Sequence, residues 1–300
     1  MKPNRFQYIA AQSIPDALRL LNTHQSDVKI IAGGQSLMPM LNYRVLNPQY
    51  LIDIGRILEL DYISEKDGLI EIGAITPYVK IENSTLIQQH LPIVPEVIRH
   101  IAHLTIRNRG TIGGSLSHAD PASEMPMLMR LLDAHFEIRS ESTSYQVSAH
   151  DFFLGPLHTV LQNQELLTKI LIKVPSPQIG WAFQEFARRS GDYALAAVGI
   201  TLEIKQQSGK KIIEQLKISM MGVGDTPLRL SSIEALMNGQ EFSADLLDQA
   251  KHQIFTELDP RGDLQSSAEF KKHLASNIFT RVMSEAWDKA NSYQIGSTRS

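Results

Sequence analysis

Two glycine-rich turns give this 300-residue chain its clearest capacity for chemistry. The first lies in Ile30-Ile31-Ala32-Gly33-Gly34-Gln35-Ser36-Leu37. The second, about eighty residues later, is Arg107-Asn108-Arg109-Gly110-Thr111-Ile112-Gly113-Gly114-Ser115. Glycine frees the backbone for positive φ and lets it approach a ligand without a Cβ in the way. Consecutive amides in such a turn can point at one anion, forming a nest for phosphate. A single Gly-Gly pair is most simply a tight turn. Two of them, each after an apolar segment, predict loops that converge on one diphosphate. Neither has the Gly-x-Gly-x-x-Gly order of a Rossmann turn or the Gly-Lys-Ser/Thr of a P-loop. No lysine stands in either turn, which argues against nucleoside triphosphate hydrolysis.

Other candidate groups are weaker. Asp120 and Glu124 are four apart and could share a helical face. Paired carboxylates can carry acid/base chemistry, but no nearby residue suggests a polar substrate, and Glu124 could equally be a helix-start charge. Arg188-Arg189 reads as a solvated strand end or a phosphate contact, and His118 as a local hydrogen-bonding group. The ten histidines show no His-x-x-x-His pairing, so no metal ligands and no catalytic residue are expected. With no cysteine, disulfides, thiolate catalysis and a Cys-held iron–sulfur cluster are impossible in this chain. Any such cluster in an electron path must sit on a partner.

The composition, 43% apolar and 20% charged, is that of an ordinary globular protein. A net charge of −3 offers no basic face for nucleic acid. No apolar stretch approaches the ~20 residues needed to span a bilayer. Met1-Lys2-Pro3-Asn4-Arg5-Phe6 has no apolar signal core, so a cytoplasmic location is expected.

The elements that must position the turns are partly readable. Apolar spacing predicts a helix over 14–22 and strands at 28–32, 51–54 and 69–75. Pro39 limits 37–41 to a short helical turn at most. Thr76-Pro77 reads as an N-cap and first helical residue, opening a helix to about Asn83. Residues 92–101 read as a helix leading into the second turn. Met125, Met127 and Met129 lie on another, where core filling is the plain explanation. Strands are expected at 134–139 and 144–147, possible partners in a hairpin, and at 166–174. Pro175-Ser176-Pro177 is the best domain boundary. Beyond it, strands at 181–188, 194–205 and 211–223 precede helices at 232–237, 244–256 and 266–291. In the last, Phe270, Leu274, Ile278, Val282 and Trp287 mostly share a face. Strands followed by helices indicate α+β packing.

Ala-Gly-Gly-x-Ser-Leu, then Arg-Asn-x-Gly-Thr-Ile-Gly-Gly and Asp-Pro-Ala-Ser-Glu, resembles the FAD-binding medium subunit of molybdenum hydroxylases. Carbon monoxide dehydrogenase and xanthine dehydrogenase contain such flavoprotein subunits. Arg188-Arg189-Ser190-Gly191-Asp192-Tyr193-Ala194-Leu195-Ala196 and Gly222-Val223-Gly224-Asp225-Thr226-Pro227-Leu228-Arg229 follow in the family's order. The resemblance implies an α+β chain: a two-lobed FAD-binding domain of the vanillyl-alcohol-oxidase/PCMH type at 1–176, a smaller α+β domain at 177–290, and a polar tail at 291–300.

It also implies noncovalent FAD. Ala32, Gly33, Gly34, Gln35, Ser36 and Leu37 from the first turn, and Gly110, Thr111, Gly113, Gly114 and Ser115 from the second, would bind the cofactor. The amides near Gly33–Ser36 and Thr111–Ser115 would take the diphosphate, with the Ser36 and Thr111 hydroxyls able to add donors. Asp120 and Glu124 belong to the same site, Glu124 accepting from a ribose hydroxyl. Ile101, Ala102 and Leu167 match flavin-lining positions. Tyr193 would cover the flavin ring, with core packing its alternative. Ser115 stands where the family often has Asn or Asp, Glu124 where Asp is usual, and Gln184 where some relatives have Lys. The implied assembly is a heterohexamer. A molybdenum-cofactor large subunit hydroxylates substrate, a two-iron, two-sulfur small subunit relays electrons, and this subunit's FAD passes them to NAD, a quinone or oxygen. A free-standing FAD oxidase of the same superfamily is the alternative.

Overall fold

In the computed structural model, which describes residues 2–297, the chain forms two compact units. One comprises Met1–Gln89, Ala102–Asp120 and Asp133–Val174; the other His90–Ile101, Pro121–Leu132 and Pro175–Ser300. The units are therefore interleaved in sequence rather than divided by one cut.

The first unit begins with β1 (Gln7–Ala10), α1 (Ile14–His24), β2 (Val28–Ile31), α2 (Leu37–Asn42) and β3 (Tyr50–Asp53). The Ser13 hydroxyl caps α1 by accepting from the Asp16 amide at 3.2 Å. Pro15 sits in the first helical turn, where its missing N–H is not needed. The three strands pair in parallel in the order β1-β3-β2. Leu18 and Leu21 of α1 share a core with Ile52, Ile54 and Ile57. β2 thereby ends, at a fixed place, directly before the first glycine turn.

Next come β4 (Ile63–Lys66) and β5 (Leu69–Gly73), joined through Asp67 and Gly68, both at positive φ. Two positive φ values suit the twist of a tight hairpin. The helices α3 (Tyr78–Glu82), α4 (Thr85–His90), α5 (Ile93–His100), α6 (Leu104–Arg107), α7 (Ile112–His118) and α8 (Glu124–Leu131) follow. Then come β6 (His135–Arg139), β7 (Ser144–Ser148), α9 (Ala149–Phe152), β8 (Phe153–Gly155), β9 (His158–Thr159) and β10 (Leu166–Lys173). An antiparallel sheet runs β4-β5-β10-β6-β7. Its central strand, β10, is buried at six of its eight positions, since strands flank it on both sides. This sheet and the parallel one match the two lobes expected of the unit.

The second unit adds β11 (Gly180–Phe186), β12 (Ala196–Gln207), β13 (Lys210–Met221), β14 (Leu228–Arg229), α10 (Ser231–Met237), α11 (Ala244–Glu257) and α12 (Ala268–Ser297). The strands pair antiparallel in that order, and α12 packs along β11 and β12. A Cβ on Gly180 would lie 2.1 Å from the Ala286 carbonyl oxygen, so glycine permits that close approach. α5 packs on α8 and β11, and α8 on β13, within the same unit.

Several expectations change. α2 forms despite Pro39, because the proline occupies its third position, among the amides that no helix satisfies internally. Pro77 rather than Thr76 precedes α3, while the buried Thr76 hydroxyl donates to the Tyr62 carbonyl at 3.1 Å. α12 is one helix whose buried stripe is Ala275, Ile278, Phe279, Val282, Met283, Ala286 and Ala290, with Phe270 exposed. It continues to Ser297, into the stretch expected as a tail; residues 298–300 lie outside the described residues. Asp120 and Glu124 share no helical face: α7 ends at a left-handed Ala119 and α8 begins at Glu124.

Candidate functional site

β2 delivers the chain into Ala32-Gly33-Gly34, where Gly34 takes φ +71°. The Gln35 side-chain amide donates to the Gly33 carbonyl at 2.8 Å, and Met38 N–H to the Gly34 carbonyl at 3.1 Å. Within the described residues, the amides of Gly33, Gly34, Gln35 and Ser36 donate to no protein acceptor.

The second turn is built differently. Ile106 carbonyl accepts from Gly110 N–H at 2.7 Å, and Gly110 carbonyl accepts from Tyr78 N–H at 3.0 Å. Ile112 N–H donates to Thr76 carbonyl at 3.1 Å, and Gly113 N–H to Ala74 carbonyl at 2.8 Å. Thr111 caps α7, its hydroxyl oxygen accepting from Gly114 N–H at 3.2 Å, while Ser115 N–H reaches Thr111 carbonyl at 3.1 Å. The amides of residues 112–115, three of them expected as diphosphate donors, are thus engaged inside the protein. Gly113 has its own packing reason: a Cβ there would stand 2.6 Å from the Ala74 Cβ.

The two turns meet backbone to backbone. A Cβ on Gly33 would lie 2.0 Å from the Arg109 carbonyl oxygen and 3.0 Å from Gly110 Cα. A single methyl group would fill this cradle. Unclaimed amides beside it give the chemistry for an anion held by main chain, so the first turn fits a diphosphate.

The remaining predicted residues are dispersed over the chain. Ile101 is buried, and Ala102 takes a left-handed backbone at φ +41°. Asp120 is half-buried in the turn before α8, and Glu124, 6% exposed, is the first residue of that helix. Leu167 is 3% exposed on β10 opposite Ile138, so its side chain lies in the sheet core. Tyr193 is 60% exposed, which removes core packing as its role. Gln184 sits on β11 opposite Val198, and Arg188 donates to the Gln265 carbonyl.

Sequence reasoning missed His100. It ends α5, with Nδ1 3.3 Å from Glu185 Oε1 on β11, Nε2 4.0 Å from Glu96 Oε1, and its ring edge-on to Phe183. The Glu185 hydrogen bond raises the imidazole pKa, against the opposing effect of burial and with help from the charges of Glu185, Glu96 and Glu124. A raised folded-state pKa gives stabilisation that is complete below the unfolded value of about 6.5 and lost as pH rises through the folded value. Wild type should therefore lose melting temperature relative to His100→Gln across that upper window, with a difference under about 1 kcal/mol because the ring is partly exposed. Parallel melting curves at the two pH extremes would contradict the assignment.

Profiles of known families match nearly the whole chain. That of the FAD binding domain in molybdopterin dehydrogenase covers residues 4–177, and that of the CO dehydrogenase flavoprotein C-terminal domain covers 181–286. With the two-lobed unit and its paired turns, these matches define an FAD-binding flavoprotein. The chain is 36% identical to caffeine dehydrogenase subunit beta of Pseudomonas sp. (strain CBB1), over 96% of this chain and 97% of that one. Identity to the carbon monoxide dehydrogenase medium chain of Hydrogenophaga pseudoflava is 33%, over 96% and 99%. The structure of carbon monoxide dehydrogenase from that organism, lacking the Mo-pyranopterin moiety, superposes with TM-score 0.92 at 34% identity, covering 96% of this chain and 99% of that one. Quinoline 2-oxidoreductase from Pseudomonas putida 86 gives 0.90 at 34% identity, covering 97% and 100%. The chain belongs to the FAD-binding medium subunits of the molybdenum hydroxylases, flavoprotein components of oxidoreductase complexes. In this family the molybdenum cofactor and iron–sulfur clusters belong to partner subunits.

Proposed function

We propose that this chain is the electron-transfer subunit of a multi-subunit molybdenum hydroxylase. It takes electrons from a partner two-iron, two-sulfur subunit and passes them to a final acceptor, while a molybdenum-cofactor large subunit oxidises the substrate. The assembly in this reading is a heterohexamer with two copies of each chain. FAD, when bound, supplies a carrier that exchanges electrons one or two at a time. The protein's part is to hold and orient it. The amides of Gly33–Ser36 would bind the diphosphate, the second turn would brace them, Glu124 would accept from the ribose, and Ile101, Ala102 and Tyr193 would border the flavin.

The observation carrying this reading is the direct contact of Gly33 with Arg109 and Gly110, beside amides that have no protein acceptor. The absence of cysteine supports placing the thiolate-held clusters on another chain. The test is reconstitution. The purified chain alone should show a flavin spectrum, accept electrons from a chemical reductant and leave organic substrates untouched. With both partner subunits present, substrate should bleach the same flavin. Turnover of an organic substrate by the single chain, at a rate that partners do not raise, would replace this reading with a free-standing oxidase.

A further inference from the structure

Arginine beside a glycine turn invites assignment as a phosphate ligand, but Arg107 is engaged elsewhere. Its Nη1 donates to the Ala102 carbonyl at 3.3 Å, and its Nε lies 3.4 Å from Glu82 Oε2, an ion-pair contact with α3. Both side chains are largely withdrawn from solvent, Arg107 being 15% and Glu82 17% exposed.

The segment this contact reaches is short and little buried. α6 is one turn of four residues, none of them fully buried, and a helix that short has no stability of its own. It is entered through Ala102, a non-glycine residue at φ +41°, a conformation that costs an L-residue energy. Yet α6 leads straight into Arg109 and Gly110, the residues that face Gly33. α3 grips this segment at both ends: Glu82 meets Arg107, and Tyr78 N–H holds the Gly110 carbonyl at 3.0 Å.

We propose that Arg107, braced by Glu82, is a positioning residue. It fastens the left-handed Ala102 carbonyl and the one-turn helix α6, so that Arg109-Gly110 stays seated against Gly33 and the two turns remain one cradle. The role rests on the reading of that cradle as the FAD diphosphate site. Arg107 acts on the cofactor through the loop and does not touch it.

The test uses the full chain with Arg107→Met, Arg107→Lys and Glu82→Gln. Two readouts are taken: FAD affinity, and amide hydrogen exchange across residues 102–110 without flavin. Arg107→Met should speed exchange in that segment alone and weaken FAD, each by at least about tenfold, equivalent to 1.4 kcal/mol. Arg107→Lys keeps the charge but has no fork to span both acceptors, and should restore part of both losses. Glu82→Gln should shift both readouts in the same direction as Arg107→Met, by less. The clamp is overturned if Arg107→Met weakens FAD while exchange stays at wild-type rates, since Arg107 would then be a direct ligand. Unchanged FAD affinity in both Arg107→Met and Glu82→Gln overturns it as well. A wild-type chain that takes up no FAD would instead defeat the cofactor reading, and the exchange rates would still decide the clamp.

Discussion

Gly33→Ala is expected to weaken FAD binding by about 10–100-fold, corresponding to the ~1–3 kcal/mol that overpacking of a closed contact costs. The added methyl would start 2.0 Å from the Arg109 carbonyl oxygen, and both sides of that contact are backbone. No side chain can swing away, so the turns must part. Gly155→Ala is the matched control, since a Cβ there meets nothing within 4 Å, and its flavin affinity should equal that of wild type. Equilibrium dialysis of the three proteins against FAD measures this directly. Wild-type affinity in Gly33→Ala would show that the meeting of the turns has no part in cofactor binding. Gly113→Val is a less informative probe: its side chain would collide with Ala74, so flavin loss there would report on packing.

Glu124→Ala should weaken FAD by about 1–3 kcal/mol, the range for losing a hydrogen bond to a charged group. Glu124 is nearly buried at the start of α8, and two roles compete for it. As a helix-start charge it would contribute about 0.3–1 kcal/mol to stability and nothing to affinity. As a ribose acceptor it would act on affinity. Calorimetric titration with FAD beside melting of the flavin-free chain separates them: an unchanged dissociation constant with a lower melting temperature leaves only the helix-start role.

The sequence made the two turns visible because glycine spacing is a backbone requirement written in residue type. It could not say which glycine serves a ligand and which serves packing. Gly33 lies against the other turn's backbone, whereas Gly113 makes room for Ala74, a residue remote in sequence. β1 and β4 were missed for a related reason. Gln7–Ala10 and Ile63–Lys66 are half-exposed edge strands with little alternation, held by their register with β3 and β5. In α12 the large apolar residues marked most of the inward face, Ile278 and Val282 within the core and Leu274 and Trp287 packed against it, but Phe270 is exposed and the small residues of that face were missed. Close approach to the sheet selects Ala275, Ala286 and Ala290 alongside Phe279 and Met283, and small residues carry little weight in a hydrophobic pattern. His100 and Glu185 meet only through the packing of α5 on β11, so no local pattern could pair them. Arg107 belonged to the recognised stretch, but its engagement with Ala102 and Glu82 is a tertiary fact.

Whether this chain holds FAD through main-chain turns without a covalent bond is decided by the purified full chain and FAD alone. The chain is incubated with excess FAD, desalted, its visible spectrum recorded, and then denatured in acid. Equimolar bound flavin is expected, with the absorption bands of a protein-held isoalloxazine, all of it released into the supernatant on denaturation. A folded chain that emerges colourless, or one whose flavin stays with the precipitated polypeptide, would contradict it.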